Sequence, residues 1–215
     1  RKLIITVAAS APTLYYYCHY HSGMGGQVNT NSLFGSSNFK GAVQSLVSAN
    51  TTAGFSIVKW TGTGSATTIG HGLGVAPTMI WTKNLIDAND WFVYSKAVGY
   101  GMSNPDPETD YLKLNQVNSR TDDVNAWNDT APTSTVFSVG SASNSNGSSD
   151  SMLAYCFTDI KGYSKIGGYT GNGNAEGPFI YTGFKPAWVI FKRIDGGSEN
   201  WLMYDNKRNT FNVVD

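Results

Sequence analysis

Three observations predict an all-β fold for this chain of 215 residues. Charged residues are sparse at 14%, aromatics reach 13% and Gly, Ser, Thr and Asn are abundant, a balance that suits strands and tight turns better than helices. Short runs of β-branched and aromatic residues alternate with polar loops that carry Gly and Asn. One hairpin-like pattern also occurs twice. Thr61-Gly-Thr-Gly64 recurs as Thr170-Gly-Asn-Gly173, Gly74-Val-Ala-Pro77 as Gly183-Phe-Lys-Pro186, and Met79-Ile-Trp-Thr-Lys83 as Trp188-Val-Ile-Phe-Lys192, each 109 residues further on. Asp90-Trp-Phe-Val-Tyr94 returns as Asn200-Trp-Leu-Met-Tyr204 at 110, so one residue has entered the loop between.

From the N-terminus, Leu3 to Val7 and Leu14 to Tyr17 read as strands parted by the turn-like Ala-Ser-Ala-Pro, and they lead into a Gly-rich loop. That loop holds Cys18, His21 and Met24 in the spacing C-x2-H-x2-M. A thiolate, an imidazole and a thioether are the donor set that favours copper, with the thioether as a long axial ligand. A trigonal copper plane needs a second imidazole. His19 does not supply it, because its neighbour Cys18 points to the opposite face of an extended strand. Three readings follow: a copper site completed from elsewhere, a remnant in which Cys18 packs as a small hydrophobe, or a truncated module. The chain starts at Arg1 without an initiator Met and stops in the apolar run Phe211-Asn-Val-Val, so both termini look cut from something longer.

Asn29 to Ala53, rich in Asn, Ser, Thr and Gly, reads as a linker with a domain boundary near Asn50. Within it Phe39, Val43, Leu46 and Val47 fall at i, i+4, i+7 and i+8, the spacing of a short helix. Gly41 and the β-branched residues argue instead for an extended surface segment. The expected organisation is a terminal hairpin over 1–28, a linker over 29–53 and a β domain over 54–215, with the repeats at about 60–96 and 169–206.

Each repeat reads as a Gly turn, a Gly-x-x-Pro bend, a strand, a polar loop and a second strand headed by Trp, which is a β-hairpin unit. Proline cannot donate to a ladder, so Pro77 and Pro186 mark strand starts. Met79 to Trp81 is apolar on both faces and belongs in the middle of a sheet, and Trp91 and Trp201 open the partner strands. Between the repeats, Tyr111 to Leu114, Val136 to Val139 and Met152 to Thr158 read as strands, and Ser141 to Ser151 as an exposed hairpin loop with little to pack. Strands at this spacing imply an antiparallel β-sandwich, with jelly-roll or concanavalin-like packing of two sheets.

Several functions lack their sequence signatures. Net charge is zero and no Lys/Arg cluster exists, so nucleic acid and anionic membranes find no electrostatic footprint. No run of about 18 apolar residues is present for a transmembrane helix, and Lys2 to Ala11 is too short for a signal peptide. Asp87, Asp90, Asp122, Asp123 and Asp129 sit among Asn, Gly and Thr, where turn formation accounts for them. His71 is a lone turn histidine, and no Gly-x-Ser-x-Gly, His-Glu-x-x-His or phosphate loop occurs. No enzyme is expected. Asp106-Pro-Glu-Thr-Asp110 and Asp122-Asp123 are candidate calcium loops without the ordered spacing of one. Cys156 lies in an apolar strand pattern and reads as core, and a Cys18 to Cys156 disulfide is left open by the sequence.

Two resemblances add expectations. Pro12 to Val28 resembles the last two strands of a cupredoxin, with a His to Met gap like that of amicyanin, which implies a copper-binding electron-transfer or storage module on Cys18, His21 and Met24. The segments Asn50-Thr-Thr-Ala-Gly-Phe-Ser-Ile-Val58, His71-Gly-Leu-Gly-Val-Ala-Pro77, Ala126 to Phe137 and Tyr181-Thr-Gly-Phe-Lys-Pro186 to Arg208 resemble an uncharacterised domain family of marine bacteriophage virion proteins. That resemblance implies an extracellular, homo-oligomeric structural module of a fibre, spike or capsid appendage. Its partners would be other virion subunits and a cell-surface glycan, and it brings no catalytic residues. Trp60, Tyr100 and Trp127, beside Asn and Asp, are the first candidates for sugar stacking, with core packing as the competing role.

Overall fold

Alternation of apolar and polar residues at period two builds the central sheet. In the computed structural model, which describes residues 14–22, 25–28 and 35–207, strand makes up 33% of the chain and helix 4%, so the fold is all-β. The central strands are β5 (Phe55–Thr61), β7 (Met79–Asn84) and β12 (Ser151–Phe157), with β12 between the other two. β8 (Phe92–Ser95), β9 (Asp110–Lys113) and β10 (Thr121–Asp122) extend the sheet beyond β7. β3 (Ser36–Asn38) and β4 (Ser45–Asn50) extend it beyond β5, which completes an eight-stranded antiparallel sheet. A second layer is formed by β6 (Thr67–Gly70) paired with β11 (Val136–Val139). β1 (Leu14–Tyr17) pairs with β2 (Gly25–Val28), and β13 (Trp188–Phe191) with β14 (Leu202–Asp205).

Both faces of the large sheet are apolar. On one face Val58, Trp60, Ile80, Phe92, Tyr94, Met152 and Cys156 pack against Ile69 of β6, Phe137 and Val139 of β11, and Ala126 and Trp127 of α1 (Val124–Trp127). This is the main core and the sandwich contact. The opposite face carries a smaller cluster of Val93, Val98 and Leu112, joined by Met79, Trp81, Ile194 and Trp201. Cys156 lies fully in the main core, where burial pushes its thiol up to about 12, and neither it nor Cys18 forms a disulfide.

Two expectations are corrected. Residues 35–53 are not a linker and hold no helix: β3 and β4 belong to the sheet, Val43 bridges Ile69, and β4 runs with β5 from Leu46↔Lys59 to Asn50↔Phe55. A sheet edge that offers unpaired backbone to Ser45–Asn50 overrides the weak helical spacing, since Gly41 and the valines give a helix little support. The rest of the linker, 29–34, lies outside the described residues, as does Leu3 to Val7.

The second correction concerns Ser141 to Ser151. This segment contains α2 (Ser143–Asn146), and Ser145 and Asn146 are fully buried. Asn146 Oδ1 accepts from Thr63 N–H at 2.9 Å, while its Nδ2 lies 3.0 Å from Thr63 Oγ1, 2.7 Å from Ser65 O and 2.9 Å from Gly140 O. The first Gly turn is pressed onto the same segment, since a Cβ on Gly62 would stand 2.0 Å from the Gly147 carbonyl oxygen. Polar composition suggested exposure, but a buried amide that satisfies this many groups is a packing element. No helix among the described residues is long and apolar enough to cross a membrane.

Candidate functional site

Odd-numbered residues of β5, β7 and β12 point away from the main core, and four of them, Phe55, Trp81, Tyr155 and Phe157, are aromatic. Trp91 stacks on Tyr155 with ring centres 5.9 Å apart, Tyr155 meets Phe55 at 5.9 Å, Phe55 meets Phe157 at 5.1 Å, and Phe157 meets Trp81 at 4.9 Å. The five rings form one half-buried stripe across β5, β12 and β7 to Trp91, just before β8. The register dictates this, because Phe157 lies opposite both Phe55 and Met79, and Tyr155 opposite both Ile57 and Trp81.

Part of that stripe lines a cleft of about 1490 Å³ between the sheet and the second repeat. Phe55, Trp81 and Phe157 form its floor, Trp188 and Trp201 approach from the second hairpin, and Tyr100, Tyr163 and Tyr169 stand exposed around its mouth. Polar groups are few. Trp201 Nε1–H donates to Lys113 O at 2.9 Å, which ties the second hairpin to β9. Lys192 Nζ donates to the carbonyls of Val117, at 2.7 Å, and Glu199, and burial holds its pKa below the ordinary lysine value. Asp195 and Glu199, also on the cleft, both face Arg193, at 3.5 and 4.0 Å. An apolar, aromatic cleft with a sparse polar rim is the usual form of a site that binds by stacking.

The sequence-predicted residues fall in different places. Cys18 and His21 meet on the loop after β1, with Sγ 3.2 Å from Nδ1, whereas Met24 lies outside the described residues. His19 turns to Tyr20 in an edge-on contact at 5.0 Å. Among the described residues no three His, Cys, Asp or Glu side chains gather in the manner of a metal site. Two of the three stacking candidates are interior: Trp60 packs edge-on against Phe137 and Trp127 against Tyr94, at 5.7 and 5.8 Å. Tyr100 alone reaches the cleft.

The carboxylates fall in several settings. Asp90 accepts from Lys113, Asn115 and Gln116 at 3.0, 2.8 and 3.1 Å, and these bonds, that of Lys113 foremost, hold its carboxyl below the usual range. Asp123 caps α1 by accepting from Asn125 N–H at 2.9 Å. Asp87 is exposed, and Asp129 occupies a left-handed turn with φ 44°. The two acidic segments do converge, with Asp106, Asp110 and Asp122 around one pocket of about 490 Å³. Arg120 already supplies the cation there: its Nη1 is 2.6 Å from both oxygens of Asp110. Burial pushes the Asp110 carboxyl up in spite of that bond. His71 is buried, not an open turn residue. Its Nδ1 accepts from Leu73 N–H at 3.2 Å, so Nε2–H donates to Thr133 O at 3.1 Å, and burial lowers its pKa and favours this neutral form.

Sequence reasoning missed the cleft. Phe55, Trp81 and Phe157 carry the period of their strands, a usable signal, but Tyr163 and Tyr169 lie in irregular chain that has no period to read. No curated protein matches the chain, and no solved structure does. The model of one family, described as "Domain of unknown function (DUF7483)", matches residues 29–215, which takes in β3, β4 and the whole sandwich and leaves out the Cys18 hairpin. The chain therefore belongs to the DUF7483 family.

Proposed function

We propose that this protein is a structural and adhesive module of a bacteriophage virion, one unit of a fibre, spike or capsid appendage that works in many copies and contacts a cell-surface glycan. The observation that carries the adhesive part is the cleft floored by Phe55, Trp81 and Phe157, with Tyr100 and Tyr163 exposed at its mouth. Flat rings at an open cleft stack on the apolar face of a sugar at little entropic cost, because each has only two side-chain torsions to fix. The virion part rests on the resemblance of the motifs and on the repeat-built β architecture. The test is binding to host-surface polysaccharide by Tyr100→Ala, Tyr163→Ala and the double variant. Each single change is expected to weaken binding by about tenfold, the loss of one stacking contact, with the melting temperature unchanged. Wild-type binding in the double variant would remove the cleft from the account.

One observation favours a second reading, a copper-binding, cupredoxin-like module: Cys18 and His21 are already in contact. Copper would be held by that thiolate and imidazole together with Met24 and a second imidazole supplied from elsewhere, and it would supply one-electron chemistry. On this reading copper titration gives an intense visible thiolate-to-metal band that is lost in Cys18→Ser. A titration without such a band rejects it.

A further inference from the structure

The two hairpins share one register and have opposite surroundings. β7 joins β8 through Met79↔Ser95 and Ile80↔Tyr94, and β13 joins β14 through the counterparts Trp188↔Asp205 and Val189↔Tyr204. Even the closing bond is kept: Lys96 N–H donates to Thr78 O at 2.9 Å and Asn206 N–H to Ala187 O at 3.0 Å. In the first hairpin, however, β12 covers the outer edge of β7, whereas among the described residues β13 and β14 form a sheet of two strands.

Side-chain exposure differs as well, because β6, β11 and α1 pack on the face of the first hairpin. Ile80, Phe92 and Tyr94 are 1, 4 and 3% exposed, and their counterparts Val189, Leu202 and Tyr204 are 38, 45 and 42% exposed. The positions keep their apolar character although no second layer covers them among the described residues. Glycine repeats the pattern. Gly62 is required because the segment leading into β12 presses on it, yet its counterpart Gly171 has nothing within 4 Å of a Cβ. A chain that keeps both the apolar face and the glycine is shaped for the neighbour that the first repeat has.

We propose that the outer edge of β13 accepts a strand of the β12 type from a further unit of the same repeat. The second hairpin then becomes interior to a continuous sheet, as the first one is. This rests on the repeat geometry and not on the virion reading. The chain's own β12 is excluded as the donor, because β5 and β7 occupy both of its edges. The expected register is that of β7 and β12, where Tyr155 lies opposite Trp81 and Phe157 opposite Met79, so these positions of the incoming strand lie opposite Ile190 and Trp188. Recognition is then by main-chain bonds along an edge, with alternate side chains setting the register.

The geometry also says which backbone groups are involved. Leu85 N–H donates to Ser151 O at 2.9 Å, so alternate residues Lys83, Trp81 and Met79 face β12. Their counterparts Lys192, Ile190 and Trp188 face the open edge, and Val189 and Phe191 face β14. Ile190→Pro thus removes an outward N–H and leaves the β14 ladder intact.

The experiment titrates the protein into a fluorescent peptide of residues 147–159 with Ser in place of Cys156, read by anisotropy. Saturable binding is expected, weakened about tenfold or more in Ile190→Pro by the lost bond and the ring. A probe that needs no protein variant backs this up. N-methylation of the peptide at Tyr155, which faces the acceptor, abolishes binding, and N-methylation at Ala154, which faces away, preserves it. No saturable binding to the wild type, or equal binding of a scrambled peptide, overturns the proposal. So does self-association that Ile190→Pro abolishes while the peptide fails to bind, since the occupant is then β13 of a second copy.

Discussion

Trp127→Ala is expected to destabilise the protein by about 4 kcal/mol, among the largest effects of a single substitution, as for other buried aromatic side chains cut to alanine. The ring is buried in the main core between α1 and the sheet, edge-on to Tyr94 at 5.8 Å. Its Nε1–H donates to the carbonyl oxygen of Asp110 at 3.1 Å, so truncation opens a cavity and also strips a buried acceptor. For a domain of this size the loss corresponds to a fall of about 10 °C in melting temperature. Trp127→Phe keeps most of the volume and loses the bond, so its cost is smaller, about 1 to 2 kcal/mol. Urea denaturation of both variants measures the two effects. Wild-type stability in Trp127→Ala would return this residue to the surface role that its Asn and Asp neighbours suggested.

Asn146→Ala is expected to cost about 3 kcal/mol or more, although it removes only a small polar side chain. Thr63 N–H loses its acceptor, and the oxygens of Ser65 and Gly140 lose their donor, all beside a fully buried residue. Asn146→Asp separates donor loss from lost volume. It keeps the shape but turns a second oxygen toward the oxygens of Thr63, Ser65 and Gly140, so it is expected to destabilise at least as much as alanine. Differential scanning calorimetry of the pair tests this. A mild Asp substitution beside a severe Ala one would mean that the site is wet and roomy, contrary to its packing against the first Gly turn.

Elements set by strand period and by proline were legible in the sequence. β11 spans Val136–Val139, as its residues predict, and β7 and β13 each start two residues after their proline. The repeat was legible for the same reason: its register depends on local turns and on paired strands. Elements fixed by distant partners were not. β4 is extended because an open edge of β5 receives it, and α2 is buried because Asn146 answers groups 83 residues away at Thr63. At Trp60 and Trp127 the core-packing role holds over sugar stacking, because polar neighbours in sequence are not neighbours in space. In the cleft, the floor carried the strand period and the mouth, built from irregular chain, carried no signal.

These points meet in the contrast between the hairpins. One sequence pattern yields a closed core around β7 and an exposed, aromatic surface around β13. Exposed apolar area of this kind marks an interaction surface. An edge strand without charge or proline within it is likewise primed for pairing.

The central claim, a module that works in many copies, is tested most directly by the native mass and symmetry of the assembly, by light scattering with imaging of the same material. The account predicts a symmetric multimer or a particle appendage. A monomer that persists at every concentration and in its native setting would contradict it.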